Sequence, residues 1–329
     1  MNIPQYVNDT TGEVFCQDEI FEQSLNDSGR KWHIRKGEQM RIANVVECYD
    51  KYKAAQLRDC GTHLTFNKSS VGNLTLTHAN FCRIRICPMC TWRRTLKLGL
   101  QMQANYAVQI QRGYKHIFLT LTVKNVSAAD LSSTLDDIMA STDRMHKLTA
   151  FNTSIVGYFR ALEVTYNERQ NTYHPHLHYI LTVPADYYDY TGKNLTQAQM
   201  ADMWRKSMRL DYDPMINVKR IEPRGDNGMT HAVAETAKYP LKATNILELR
   251  SRKRQVQVCE TIDNALKSRR LIAFGGVTRQ IRAELKQSDL EDELVNLADD
   301  AVSDDSVREI IYVWRNGLYL PIEFQPVQN

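Results

Sequence analysis

Apolar positions alternate along three stretches of the chain. His116–Val123 (HIFLTLTV), Gly157–Tyr166 (GYFRALEVTY) and His174–Val183 (HPHLHYILTV) are rich in β-branched and aromatic residues, and they predict three strands. The polar link NERQNT between the second and third reads as a hairpin connection. Elsewhere the apolar spacing is helical. Residues 36–58 place Met40, Ile42, Val45, Val46, Tyr49 and Tyr52 on one face. Residues 91–112 form a second helix, which Gly113 can stop. Further helices are predicted over 131–150, 197–210 and 229–239. Ile310–Leu320 reads as a closing hairpin with Asn316-Gly317 at its turn. Residues 1–35 are polar and weakly periodic, an extension with little core of its own. The order strand, helix, strand, strand, helix implies an α+β domain with an antiparallel sheet and helices on one face. A split βαβ, or ferredoxin-like, arrangement satisfies that order.

Composition changes this picture little, but charge changes it more. The chain has 329 residues, of which 43% are hydrophobic and 24% charged, so it can bury a substantial core and is not a disordered or collagenous protein. Its net charge is +4. Between Lys286 and Glu309 lie nine acids and two bases, a block of −7, which leaves +11 on the rest. A basic body suits a polyanion partner, although a solvated acidic surface helix accounts for the block equally well. No stretch of about 18 apolar residues and no secretory signal is visible, so a cytoplasmic location and no membrane partner are expected.

Three constellations carry chemistry. His174, His176 and His178 occupy alternate positions of one predicted strand, so they share a face, while Leu177 points into the core. Glu163 lies on the neighbouring strand across the link, where a carboxylate can join His176 and His178 around one cation. Mixed oxygen and nitrogen donors suit Mg²⁺ or Mn²⁺. Glu235 and Tyr239 stand one helical turn apart in HAVAETAKYPLKAT, with Lys238 and Lys242 beside the tyrosine and Pro240 ending the helix. A tyrosine there can act as a nucleophile or simply as a packing residue, one of 16 tyrosines. Seven cysteines, four of them at Cys60, Cys82, Cys87 and Cys90, fit a structural zinc site, with His63 and His78 as substitute ligands. Around them Arg83, Arg85, Trp92, Arg93, Arg94 and Lys97 form either a nucleic-acid surface or a solvated face with Trp92 in the core.

In this order along the chain, the motifs resemble a known family. FLTLTV (118–123), HPHLHYIL around His176-Leu177-His178, and ETAKYPLK with Glu235 and Tyr239 resemble the replication initiators of Gram-positive rolling-circle plasmids, within the HUH endonucleases. The segments FCRIRICPMCTWRR (81–94) and SRRLIAFGG (268–276) are similar as well. The resemblance covers roughly residues 58–285 and implies a fold, a reaction and partners. The fold would be an HUH nicking-joining domain over 96–250. It would follow an N-terminal extension and helix (1–57) and a cysteine-rich zinc segment (58–95), and precede a basic segment, an acidic helix and a hairpin (251–329). His176, His178 and Glu163 would hold Mg²⁺ or Mn²⁺. Tyr239 would cut one strand at the plasmid origin and stay joined to the 5′ phosphate, and Glu235 would activate water to end the round. Arg83, Arg85, Arg93, Arg94, Lys238 and Lys242 would contact DNA. The partners implied are single-stranded or cruciform origin DNA and a host helicase and polymerase, with room for a homodimer. Competing readings are a related transposase or relaxase, a zinc-bearing DNA regulator without catalysis, and a metal-dependent hydrolase of small molecules.

Overall fold

A computed structural model describes residues 6–15, 25, 32–70, 72–189, 194–221, 233, 243–290, 294–295 and 308–326. The chain divides into two compact units, one formed by residues 1–94 with 290–329 and the other by residues 95–289. The division falls within a helix, Pro88–Gln111. No described helix is long and apolar enough to cross a membrane.

In the first unit, the N-terminal residues are not a coreless extension. Strand β1 (Tyr6–Asn8) lies between β2 (Val14–Phe15) and β12 (Phe324–Pro326), both antiparallel. Tyr6 is buried with Leu320 against Leu318. Their partners come from the far end of the chain, so the local pattern alone could not reveal this core. A second sheet has the order β11-β10-β3-β4, from Leu318–Pro321, Arg308–Arg315, His63–Lys68 and Leu74–Ala79. The hairpin β10–β11 turns at Asn316 and Gly317, with φ of 47° and 87°, as its Asn-Gly pair predicts.

The helix expected over 36–58 is two helices, α1 (Trp32–Glu47) and α2 (Lys51–Asp59). Asp50 starts α2 by accepting a hydrogen bond from the Lys53 amide, and such a cap competes locally with helix continuation. The 131–150 helix likewise divides, into Leu131–His146 and Thr149–Ser154.

The second unit is built on a five-stranded antiparallel sheet of order β8-β5-β7-β6-β9. The strands are Ile216–Ile221, Lys115–Thr122, Thr172–Val183, Gly157–Asn167 and Ile272–Gly275. The three strands read from the sequence are the central ones, β5, β6 and β7. The outer two are short: β8 is mixed in polarity, and β9 is four residues without a polar side chain.

Helices cover both faces, not one. On the face carrying Leu177 and Tyr179, Tyr179 meets His146 of α4 (Leu131–His146), which packs on α6 (Gln197–Met208). On the opposite face, Gln109 Oε1 of α3 (Pro88–Gln111) bonds His116 Nε2 at 3.0 Å and accepts from Thr182 Oγ1 at 2.7 Å. Thr278, in α9 (Gly276–Glu284), joins this buried network.

The Gly275-Gly276 pair explains why SRRLIAFGG ends in two glycines. A Cβ on Gly275 would stand 2.2 Å from the Tyr158 ring, and Gly276 has φ of 53° with Val156 O only 2.0 Å from a Cβ position. Only glycine lets β9 turn into α9 this close to β6.

The polar network covers only half of its face. Along β7 the burial alternates from Thr172 to Leu177 and is continuous from there to Val183. Among the described residues, the face that carries the histidines is thus closed at its Thr182 end and open at its His174 end.

Candidate metal centres

The register of β6 against β7 pairs Glu163 with His176 and Ala161 with His178. Residues two apart share a face, so Glu163, His176 and His178 converge where the covered half of the sheet meets the open half. Glu163 Oε2 lies 3.2 Å from His176 Nε2 and 3.0 Å from His178 Nε2. One donor atom from each residue lies within 4.8 Å of the other two, so the three could hold a metal ion.

The outer nitrogens have their own partners. His178 Nδ1 meets Thr120 Oγ1 at 3.2 Å, and His176 Nδ1 meets the His174 carbonyl at 3.1 Å. Each Nε2 donates to the carboxylate in the metal-free site; a metal would take the Nε2 lone pairs instead, with the ring proton on Nδ1. Burial works against charge on Glu163, but the hydrogen bonds from His176 and His178 outweigh it and hold the carboxyl at about 2. The acid therefore remains an anionic ligand at any ordinary pH.

Thr120 was not singled out in the sequence, although a signal was there. In FLTLTV the threonines alternate with buried Leu119 and Leu121, and they face the histidine strand. Replacing Thr120 with Val keeps the shape and removes the hydroxyl. Mn²⁺ affinity measured by calorimetry should fall about 10-fold, the lower end for loss of an outer-shell partner. An unchanged affinity would show that Thr120 does not orient the ligand.

The four cysteines meet in the first unit. Cys60 Sγ lies 3.7 Å from Cys87 Sγ and 3.5 Å from Cys90 Sγ, and Cys82 Sγ lies 3.8 Å from Cys90 Sγ. Zinc–sulfur bonds of about 2.3 Å in a tetrahedron separate the sulfurs by about 3.8 Å, so the cluster has the dimensions of a Cys₄ zinc site. His63 and His78 lie outside the group, which the four sulfurs complete by themselves.

Three elements supply the ligands. Cys60 caps α2 (Lys51–Asp59), Cys82 follows β4 (Leu74–Ala79), and Cys87 and Cys90 straddle the start of α3. The Arg83 amide points at Cys90 Sγ (3.3 Å), made possible by a φ of 60° at Arg83. Hydrogen bonds from the other three thiols pull the Cys82 pKa down, while burial pushes Cys87 up.

Fully buried Lys36 donates to the carbonyls of Cys60 (2.6 Å) and Arg58 (2.7 Å). A Zn²⁺ with four thiolates carries a net −2, so a buried ammonium beside it lowers the cost of burying that charge.

The basic residues around the knuckle separate. Arg93 and Arg94 are 0% and 1% exposed, so the expectation that they touch DNA is corrected. Arg93 lies over the Trp32 and Trp92 rings and donates to the Leu294 carbonyl, and Arg94 donates to the Arg83 and Ile84 carbonyls. The Arg94 guanidinium thus holds the knuckle's backbone, and the Arg93 guanidinium ties the helix start to Leu294. Arg83 is exposed and Arg85 half-buried. Lys97 is buried and donates to the Asp289 carbonyl. Glu235, Lys238, Tyr239 and Lys242 lie outside the described residues, as does most of the helix expected over 229–239. Much of the acidic block lies outside them as well.

Comparison with known proteins decides the family. A family model described as "Replication protein" matches residues 73–319, about three quarters of the chain. The chain belongs to that family of plasmid replication initiators. It is 32% identical over 305 residues to a "Protein rep" of Streptococcus pneumoniae serotype 2, covering 91% of this chain and 93% of the relative. It is 34% identical over 327 residues to a "Protein rep" of Bacillus amyloliquefaciens, covering 90% and 95%. A "Protein rep" of Lentilactobacillus hilgardii is 31% identical over 297 residues, covering 88% and 94%. No solved structure matches the chain.

Proposed function

We propose that this replication protein starts rolling-circle replication of a plasmid by nicking one strand of its origin with Tyr239. The observation that carries the reading is the convergence of Glu163, His176 and His178 at the edge of an open sheet face, in a chain of the replication-protein family. On this reading residues 96–250 are the HUH nicking-joining domain. Residues 58–95 are its zinc segment, 1–57 an N-terminal attachment, and 251–329 a basic, acidic and hairpin-forming one. The antiparallel sheet with a helix between its first two central strands supports that assignment, as does the histidine pair on β7.

The chemistry follows from the residues. Glu163, His176 and His178 would hold Mg²⁺ or Mn²⁺, which supplies polarisation of the phosphodiester and stabilises the charge that builds on its oxygens. The Tyr239 hydroxyl attacks phosphorus, the bond to the 3′ oxygen breaks, and the 5′ phosphate remains on the tyrosine. The freed 3′ hydroxyl takes up a proton and can prime synthesis by a host polymerase. Lys238 and Lys242 favour the phenolate and hold phosphate oxygens. At termination Glu235 takes a proton from water, and hydrolysis ends the round without a second covalent link. Arg83 and Arg85 remain candidates for DNA contact. The chain has no GxxxxGK[ST] phosphate loop, so strand separation falls to a helicase partner.

Wild-type protein with a labelled single-stranded origin oligonucleotide should give a denaturation-resistant adduct with Mn²⁺ or Mg²⁺ and none with a chelator. Glu235→Ala should still form the adduct but release it at least about 100-fold more slowly, the lower range for loss of a general base. Cleavage without any adduct would favour a metal-dependent hydrolase instead.

A further inference from the structure

We propose that the cleft at the open end of the β6–β7 hairpin seats one nucleotide of the DNA strand beside the scissile phosphate. The proposal rests on the strand-nicking reading above and adds a recognition site to it. The cleft is an open groove of about 830 Å³, and its lining includes Asn125, Asn167, Glu168, Arg169, His174 and Arg250.

The cleft continues the metal centre. His174 pairs with Thr165 just as His176 pairs with Glu163, one pleat further along the same face. The His174 and His176 rings are 5.3 Å apart. Each two-residue step along a strand advances about 6.6 Å, so the line from Glu163 through Thr165 to Asn167 leads directly from the candidate metal site into the cleft. A strand whose scissile phosphate sits at the triad places its neighbouring nucleotide there.

The lining chemistry matches a nucleotide. Arg169 and Arg250 are exposed and bring two guanidinium groups, the side chains best suited to phosphate oxygens. Glu168 is the one acid in the lining, and its Oε1 accepts the Arg250 backbone amide at 3.1 Å. That bond fixes the chain at Arg250 while its guanidinium remains directed by the cleft. Asn167 Oδ1 accepts the Arg169 and Gln170 amides and its Nδ2 donates to Gln170 Oε1, so Asn167 keeps one Nδ2 hydrogen and Asn125 one Oδ1 lone pair for a base edge. Asn125 is oriented by His174 Nδ1 at 2.9 Å, and by Gln170 Oε1 and Thr172 Oγ1, both at 3.2 Å. A preorganised amide discriminates between bases better than a free one. This assigns to His174 a positioning role distinct from the metal-ligand pair.

The test is a binding scan that requires no cleavage. Fluorescent single-stranded oligonucleotides spanning the origin nick site, each with one abasic position, are titrated with full-length protein without added Mg²⁺ or Mn²⁺. Wild type should lose about 10-fold in affinity at one or two adjacent positions next to the nick, the scale of a single recognised base. The Asn125→Ala, Asn167→Ala double variant should bind the intact oligonucleotide about 10-fold more weakly and show no further loss at those positions. Arg169→Ala and Arg250→Ala should each lower the slope of log affinity against log salt by about 0.7, the value for one lost phosphate contact on a single strand. A scan of the double variant that superimposes on wild type, or arginine variants with unchanged slopes, would overturn the proposal. If wild type forms no adduct with Mn²⁺ but the scan behaves as expected, the nicking reading fails and the cleft stands. An adduct with a flat wild-type scan has the opposite meaning.

Discussion

Tyr239→Phe protein should form no covalent adduct with origin DNA, a loss of at least about 1000-fold in adduct formation. The substitution removes one hydroxyl and keeps the ring, so packing around position 239 is conserved. What disappears is the hydroxyl that the proposed reading makes the nucleophile. Neither the metal ligands nor the basic residues can replace it, because each serves only to stabilise charge or position the phosphate. The measurement is denaturing electrophoresis of a 5′- or 3′-labelled single strand after incubation with Mn²⁺. Only the label on the 3′ side of the nick should travel with wild-type protein, because the 5′ phosphate stays on the enzyme. An adduct in the Phe variant would assign the chemistry to another of the 16 tyrosines. A matching thermal transition for the two proteins ties the loss to chemistry rather than to folding.

Removing the metal from the cysteine cluster should unfold much of the first unit. Cys60, Cys87 and Cys90 are at most 1% exposed, and with Cys82 their sulfurs link α2, β4 and α3 at distances that match a tetrahedron. Structural zinc contributes on the order of 10 kcal/mol in small zinc domains. Whole domains are stable by only about 5–15 kcal/mol. One lost ligand is therefore comparable with everything that holds the unit together. Wild type should contain one zinc per chain by elemental analysis. Cys87→Ser should contain less than a tenth of that and lose one cooperative unfolding transition. A strong chelator should reproduce the effect on wild type, with recovery on adding zinc back. A fully folded Cys87→Ser protein would make the cluster a set of reduced core thiols and nothing more.

These two centres differ in how far the sequence exposed them. The histidine strand was legible because strand geometry is local. Alternation at His174, His176 and His178 already determines that the side chains share a face. The carboxylate partner was legible because a short hairpin link limits the register, and Glu163 pairs with His176. The cysteine cluster was legible by residue type and spacing, since four cysteines within about 30 residues, two of them in a CxxC, suit a zinc site. Arg93 and Arg94 were misread for the opposite reason. Charge in a sequence marks an exposed side chain on average, but a guanidinium has enough donors to be buried against carbonyls and indole rings.

The edges of the sheets were also beyond local reading. Strand β8 (Ile216–Ile221) is mostly exposed, and β9 (Ile272–Gly275) is four residues long. Neither carries the periodicity that marked the central strands. The pairing of β10 with β3, and of β1 with β12, joins residues hundreds of positions apart, which no local pattern encodes.

By itself, then, the sequence determined the three central strands, the face on which the histidines stand, the membership of the cysteine cluster and the family, because each depends on residue type and short-range spacing. Only the tertiary structure decided that α3 and α9 cover one half of the histidine face and, among the described residues, leave the other open. It decided that Thr120 meets His178, and that Arg93 and Arg94 are buried against Leu294 and the knuckle carbonyls. It also brought the hairpin tip, Asn125 and Arg250 around one cleft. Those outcomes depend on which distant segments pack together, and packing is settled by the burial of whole faces rather than by any single stretch of chain.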